Sequence, residues 1–244
     1  IIQYEYCAID QWRFTKQNPT MMYHGNNKSS RNMKKWVNSK DTIREMYYLS
    51  FNRLPKDHRV KLVMSLNRHN LLDKGYVSFA NKITDWDWKE MVTEKERISL
   101  EKKMPLVIDE KDLSNTKYSY EKFDVKYFLN SYFQIVTGKI WKPITNLQPF
   151  IYLDDVGALK RLHEYGFKTF EPFIDESYDK VYDTKKRFNM IEEEIIKLCN
   201  KPIKEIHDWY WSIEDVIKHN YYHFYETFIP NMKLKMVDEL EELL

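Results

Sequence analysis

Cysteine is nearly missing. Cys7 and Cys199 are the two present in 244 residues, far apart and without metal-ligand spacing, which excludes a disulfide scaffold and reads as two free thiols of a reducing compartment. No apolar run approaches the roughly 18 residues of a membrane-spanning helix, and the amino terminus lacks a charged region followed by an apolar core. A soluble, cytoplasmic protein with no membrane partner is the expectation. Charge of one sign is lacking too: 39 Lys and Arg against 37 Asp and Glu leave a net charge of +2. Nothing global therefore demands nucleic acid or an anionic surface. There is no internal repeat or low-complexity tract.

What is present is enough chain to bury a sizeable core, as one large domain or two small ones. Residues 1–44 mix aromatic and polar residues with a turn-rich stretch from His24 to Asn32, and read as an extension or remnant of a preceding domain. The pattern sharpens at Met46. Met46 to Phe51 is a strand, Asn52 to Asp57 a loop, and His58 to Leu72 a helix with Val60, Val63, Met64 and Leu66 inward. Asp57 is placed to cap it, Gly75 closes it, and Tyr76 to Phe79 is the next strand: a β-α-β unit. Ile83 to Lys103 reads as a charged surface helix. Met104 to Ser119 is a loop with an extended stretch at Leu106 to Asp109, and Tyr127 to Val136 is a helix end plus a strand. Residues from Asp183 onward are helical, and 201–244 form a helical tail.

The stretch from Thr137 to Asp179 packs most into the least chain. Lys139 to Asn146 fits a short helix, with Pro143 in its first turn or kinking it. Gln148 to Leu153 is the apolar run of a buried parallel strand. Asp154 or Asp155 can cap the next helix, in which Leu159, Leu162 and Tyr165 recur at helical spacing before Gly166 ends it. Phe167 to Phe170 reads as another strand. This alternation predicts an α/β fold, a Rossmann-like open parallel sheet, in which ligands lie beyond the carboxyl ends of the strands.

Thr137, Lys139, Lys142-Pro143-Ile144, the Gln-Pro-Phe-Ile at 148–151, the Leu162, Gly166-Phe167, Thr169-Phe170 series and Ile174 to Asp179 together resemble the nucleotide-sugar half of GT-B glycosyltransferases. The fucosyltransferase and exostosin-like group, and glycosyltransferase-like proteins of phages and large viruses, are the most similar. The resemblance covers roughly residues 46 to 198, and implies a Rossmann-like nucleotide-sugar-binding domain at 45–200, similar to the C-terminal half of those enzymes. In that family the pattern before the helix is Ser/Thr-Glu-Lys; here Gly138 stands in place of the Glu. The strand from Asn130 to Thr137 also runs straight into Gly138, so either an acidic loop is contracted or its residues are missing between Thr137 and Gly138. The chain opens on Ile1 and is shorter than a complete two-domain GT-B enzyme, which reads as a fragment or processed product. Sixteen per cent aromatics, 5 Gly and abundant Lys, Asn, Ile and Tyr fit an AT-rich phage or viral genome.

The donor-binding candidates fall in three places. The loop from Asn52 through Arg53 to His58 and Arg59 joins a strand end to a helix amino terminus, where free amides, the helix dipole and arginine forks suit phosphate; the bland alternative is a solvated basic turn. Lys139 and Lys142 lie a helical turn apart and suit the charge of a leaving nucleoside diphosphate, or else line an exposed helix; the resemblance favours Lys139. Asp175 and Glu176 can accept sugar hydroxyls, although acids between Asp179 and Asp183 cap a helix equally well. For a general base, Asp10, His24, Asp109 and His163 exist, and spacing selects none, so the catalytic residues are open. His219 and His223 are four apart, yet without a third ligand or an HExxH glutamate they read as packed helix surface rather than a metal site. His207 and the aromatics Trp209, Tyr210, Trp211, Tyr221, Tyr222, Phe224 and Tyr225 read as core, as a stacking surface, or as a face shared with another chain.

The expected function is metal-independent transfer of a sugar from a nucleotide-sugar donor to an acceptor that the sequence does not name, with no cofactor, in the cytoplasm of a host if the source is viral. The rival is a non-catalytic phage or viral structural or assembly protein retaining the fold, partnered in an oligomer or virion through its aromatic C-terminal helices. Transfer to phage DNA is a third reading, with little support from the charge.

Overall fold

The structure is a computed structural model and describes residues 8–9, 12, 29–79, 87–106, 108 and 126–241. Four parallel strands form its centre: β1 (Met46–Asn52), β2 (Gly75–Phe79), β3 (Ser131–Val136) and β4 (Phe150–Tyr152), in the order β2-β1-β3-β4. Tyr48 pairs with Gly75 on one side of β1 and with Phe133 on the other, and Gln134 pairs with Phe150. Every residue of β3 and β4 is buried, as expected of parallel strands covered on both faces. The fold is thus an α/β open parallel sheet of Rossmann-like type with a helical C-terminal part.

The described helices are α1 (Ser29–Asn38), α2 (Asp57–Arg68), α3 (Glu94–Glu101), α4 (Lys126–Leu129), α5 (Trp141–Thr145), α6 (Ala158–Glu164), α7 (Thr184–Asn200), α8 (Ile203–Ser212), α9 (Glu214–His223) and α10 (Ile229–Glu241), with a π-helical turn at Phe224–Phe228 joining the last two. Helix α2 is the crossover of the β1-α2-β2 unit and buries Val60, Leu62, Val63, Met64 and Leu66. The chain then passes back across β1 to place β3 on its other side. Strand order therefore reverses between β1 and β3, the position where open α/β sheets bind ligands.

Several local expectations change. Phe167 and Phe170 are buried, but residues 167–170 form no strand. The amide of Asn220 stands in for a neighbouring strand, accepting from Lys168 N and donating to Lys168 O at 2.8 Å each, while Glu176 Oε1 accepts from Phe170 N at 2.8 Å. Asp57 is the first residue of α2 rather than its cap; Lys56 precedes it and supplies no side-chain cap. Asp154 and Asp155 do not cap α6. Gly157 does, at φ +76°, and the Asp179 carboxylate accepts from Leu159 N at 3.0 Å and Lys160 N at 3.1 Å. Capping here is long-range, because a helix amide takes any carboxylate that the fold delivers. Asp183, by contrast, caps α7 locally. The segment read as a surface helix from Ile83 resolves, where described, into a 3-10 turn at Trp88–Met91 and α3, and Trp88 is fully buried. Leu106 forms a lone antiparallel bridge with Phe79, and residues 109–125 lie outside the described part.

The C-terminal helices share the core of the sheet. A single buried cluster includes Trp36, Phe133, Trp141, Tyr210, Phe224 and Ile229. Trp141 meets the rings of Phe167, Phe224 and Phe228 with centroids 5.4, 5.6 and 4.9 Å apart, and the Tyr210 hydroxyl donates to Leu147 O at 2.6 Å. Trp209, Tyr210, Trp211, Tyr221, Phe224 and Tyr225 are all buried, and Tyr222 is half-buried; among described residues this aromatic series is core. No helix among them is long and apolar enough to cross a membrane.

Candidate functional site

Beyond the carboxyl ends of β1, β3 and β4 lies a cleft of about 1160 Å³. Its walls are the loop after β1 and the first turns of α2, the turn after β3 with Lys142 of α5, residues Leu153 to Asp155 after β4, and the first two turns of α7. Nine Lys or Arg side chains line it against four Asp or Glu, so a chain of nearly balanced charge concentrates its positive field here.

Arg53, His58, Arg59, Lys139 and Lys142 all line this cleft. The fold brings together the loop after β1 and the turn after β3, and Arg59 fastens them: Nε donates to Thr137 Oγ1 and Nη2 to Thr137 O, both at 3.0 Å. Burial lowers the pKa of Arg59, yet a guanidinium stays charged at any pH of interest. Its fork is occupied, which makes it a brace of the cleft rather than an open phosphate contact. Arg53 differs. Its Nη1 is buried and has no hydrogen-bond partner among the described residues, a state that a polar atom keeps only at a cost unless a ligand or water satisfies it.

Lys142 is 5% exposed and holds its Nζ 4.4 Å from the centre of the Phe51 ring, so α5 is a buried helix rather than an exposed face, and it starts at Trp141, leaving Lys139 in the turn before it. Lys139 is exposed beside it. Between strand and helix, Gly138 takes φ +92° with open space around it. A glutamate in its place would meet no clash but would sit in the left-handed region, which L-residues disfavour. The sharp turn is the physical reason that glycine suits this position.

His58 keeps more than a third of its surface exposed, yet the cleft walls displace enough water to lower its pKa, with Arg59 and Lys56 pushing the same way and Asp154 and Asp57 opposing. The shift favours the neutral imidazole over the charged one.

Three expected donor contacts lie elsewhere. Asn52 is 0% exposed: Nδ2 donates to Ser50 Oγ within β1 at 2.8 Å, and its backbone N donates to Ser78 Oγ of β2 at 3.2 Å. Asp175 turns back to accept from Ser177 N at 2.9 Å. Glu176 is buried against Phe170. Neither acid lines the cleft; residues 171–180 fold as a strap under α6, where their carboxylates serve backbone amides. His219 and His223 stack at 4° with centroids 5.6 Å apart, and their Nε2 atoms reach Gly166 O at 3.0 Å and Tyr165 O at 2.6 Å. They cap the carbonyl end of α6. No cluster of potential metal ligands occurs among the described residues. His163 bonds Thr169 Oγ1 on the exposed surface, and His207 meets the Tyr132 hydroxyl; Asp10, His24 and Asp109 lie outside the described residues.

The sequence reading missed Lys56, Lys61, Arg68, Lys185, Asp154 and Asp155 in the cleft. The two aspartates were signalled by their place at the carboxyl end of a parallel strand, but the capping rule claimed them first. Nothing local announced the arrival of α7, which only tertiary packing brings to the strand ends. Comparison with protein-family models, curated proteins and solved structures returned no match.

Proposed function

We propose that the chain binds a nucleoside-diphosphate sugar in this cleft and transfers the sugar to a hydroxyl acceptor, with protein cations meeting the charge of the leaving diphosphate. The supporting observation is the concentration of cations at the point where strand order reverses, joined there by the amino terminus of α2, where Lys56 supplies no side-chain cap. Exposed amides at a helix start and lysine or arginine side chains are the usual partners of phosphate oxygens. In this reading Arg53 and Lys139 grip the diphosphate, Lys142 and the first amides of α2 complete its shell, and Arg59 holds the two loops in register. The cleft is also large enough for a nucleotide with its sugar, given that small-molecule sites typically span about 300–1000 Å³.

Titration calorimetry with UDP, GDP, their sugar conjugates and inorganic phosphate tests this. A nucleoside diphosphate binding more tightly than phosphate, and weakened about tenfold or more by Arg53→Ala, is the expected result; no binding by any of them sinks it. The second reading, a non-catalytic protein that keeps the fold, is favoured by Gly138, which puts no carboxylate in the turn after β3. It predicts no nucleoside diphosphate release from any donor. Preferential binding of short oligonucleotides would instead favour action on nucleic acid.

A further inference from the structure

Transfer to a hydroxyl requires a group that removes the hydroxyl proton, and five side chains lining the cleft can accept one: Asp57, His58, Asp154, Asp155 and Glu192. Glu192 is engaged by Arg68 at 3.4 Å and His69 at 3.6 Å. Asp57 is the first residue of α2, beside the amides that the diphosphate takes in this reading. Asp155 is the more exposed of the two strand-end aspartates, and its amide donates to Asp154 Oδ1. His58 and Asp154 remain. The His58 ring makes no hydrogen bond among the described residues, and it projects from the first turn of α2, next to the proposed diphosphate site. Asp154 is half-buried at the end of β4, and its Oδ1 accepts from Asp155 N at 2.8 Å. Because Asp179 serves the amides of α6, Asp154 is left facing the cleft.

We propose that His58 and Asp154, contributed by two different walls of the cleft, are the proton-handling pair of the reaction, an inference that rests on reading the cleft as a nucleotide-sugar site. The acceptor O–H breaks and its proton passes to an imidazole nitrogen of His58. The acceptor oxygen bonds to the anomeric carbon while the bond from that carbon to the diphosphate oxygen breaks, and its electron pair leaves with the diphosphate. With water as acceptor the product is free sugar. Asp154 acts through His58, stabilising the imidazolium. Electrostatics are consistent with both roles: burial, Arg59 and Lys56 favour the neutral imidazole, while Asp154 and Asp57 favour the protonated ring, as a base followed by its conjugate acid requires.

The test uses the full chain with UDP-glucose, UDP-galactose, GDP-mannose and GDP-fucose, measuring donor affinity by calorimetry and nucleoside diphosphate release between pH 5 and 9. His58→Gln should leave the donor Kd within about threefold and lower kcat by roughly 100- to 10,000-fold. Asp154→Asn should lower kcat less and move the acid limb of the pH profile to lower pH, a shift that a purely structural role does not produce. Turnover within twofold of wild type in His58→Gln, or a donor that binds and is never cleaved, overturns this inference while leaving the binding reading intact. Absence of donor binding overturns both.

Discussion

Glu176 gives the sharpest quantitative test of the fold around the cleft. Its side chain is 6% exposed in the strap under α6, and Oε1 accepts from Phe170 N at 2.8 Å. Burial dominates and pushes its pKa from 4.5 to about 7, with Glu171 and Asp179 adding to the rise and hydrogen bonds from Thr169 and Phe170 opposing it. A carboxyl whose folded pKa exceeds its unfolded value holds its proton longer in the folded state. The stability it contributes is thus full below pH 4.5 and is lost as pH rises to about 7. At 1.36 kcal/mol per unit the loss approaches ~3 kcal/mol, a large fraction of the 5–15 kcal/mol typical of a domain. Glu176→Gln keeps an oxygen for Phe170 N and removes the ionisation. Urea unfolding should find the variant within ~1 kcal/mol of wild type at pH 5 and up to ~3 kcal/mol more stable at pH 8, with an unchanged m-value. An equal difference at both pH values would refute the argument, since only ionisation of a buried carboxyl makes the gap depend on pH.

Asp179→Ala removes the carboxylate shared by Leu159 N and Lys160 N and should cost about 1–2 kcal/mol by chemical denaturation, the worth of a helix cap. Gly166→Ala should cost at least ~1 kcal/mol, because φ is +86° and a new Cβ would fall 2.8 Å from His223 Nε2; His223→Ala in the same chain should recover only the steric part. Tyr210→Phe leaves the carbonyl of Leu147 and the indole N–H of Trp36 without their partner, and a loss of about 1–3 kcal/mol in a urea melt is expected. Cys199 is buried with its thiol pushed up to about 12, so in a Cys7→Ser background it should stay unreactive toward a thiol reagent at pH 8 until the protein unfolds.

Much of the sheet was legible because its strands carry their own signature. Met46 to Phe51, Ser131 to Val136 and Phe150 to Tyr152 are short apolar runs bounded by turn formers, and a strand buried on both faces can be little else. Helix α2 announced itself by Val60, Val63, Met64 and Leu66 at helical spacing. The site was half legible for the same reason. Once parallel strands are recognised, residues just past their carboxyl ends are candidates, which brought Arg53, His58, Arg59, Lys139 and Lys142 to the cleft. Asp175 and Glu176 were misplaced because an acid after an apolar run looks alike whether it meets a ligand or a backbone amide.

The amino-acid sequence alone determined the α/β character, the β-α-β unit and the basic loop after β1, since periodicity, turn chemistry and helix-start signals act within a few residues. Tertiary structure decided whatever depends on partners distant along the chain. It made Asn220 the substitute strand for Lys168 and Asp179 the cap of α6, and it turned the aromatic tail into core. It also brought α7 to the strand ends and left Asp154 facing the cleft. Hydrogen bonds and charges act over a few ångströms of space, whatever the separation in sequence, so such assignments exist only once the chain has closed on itself.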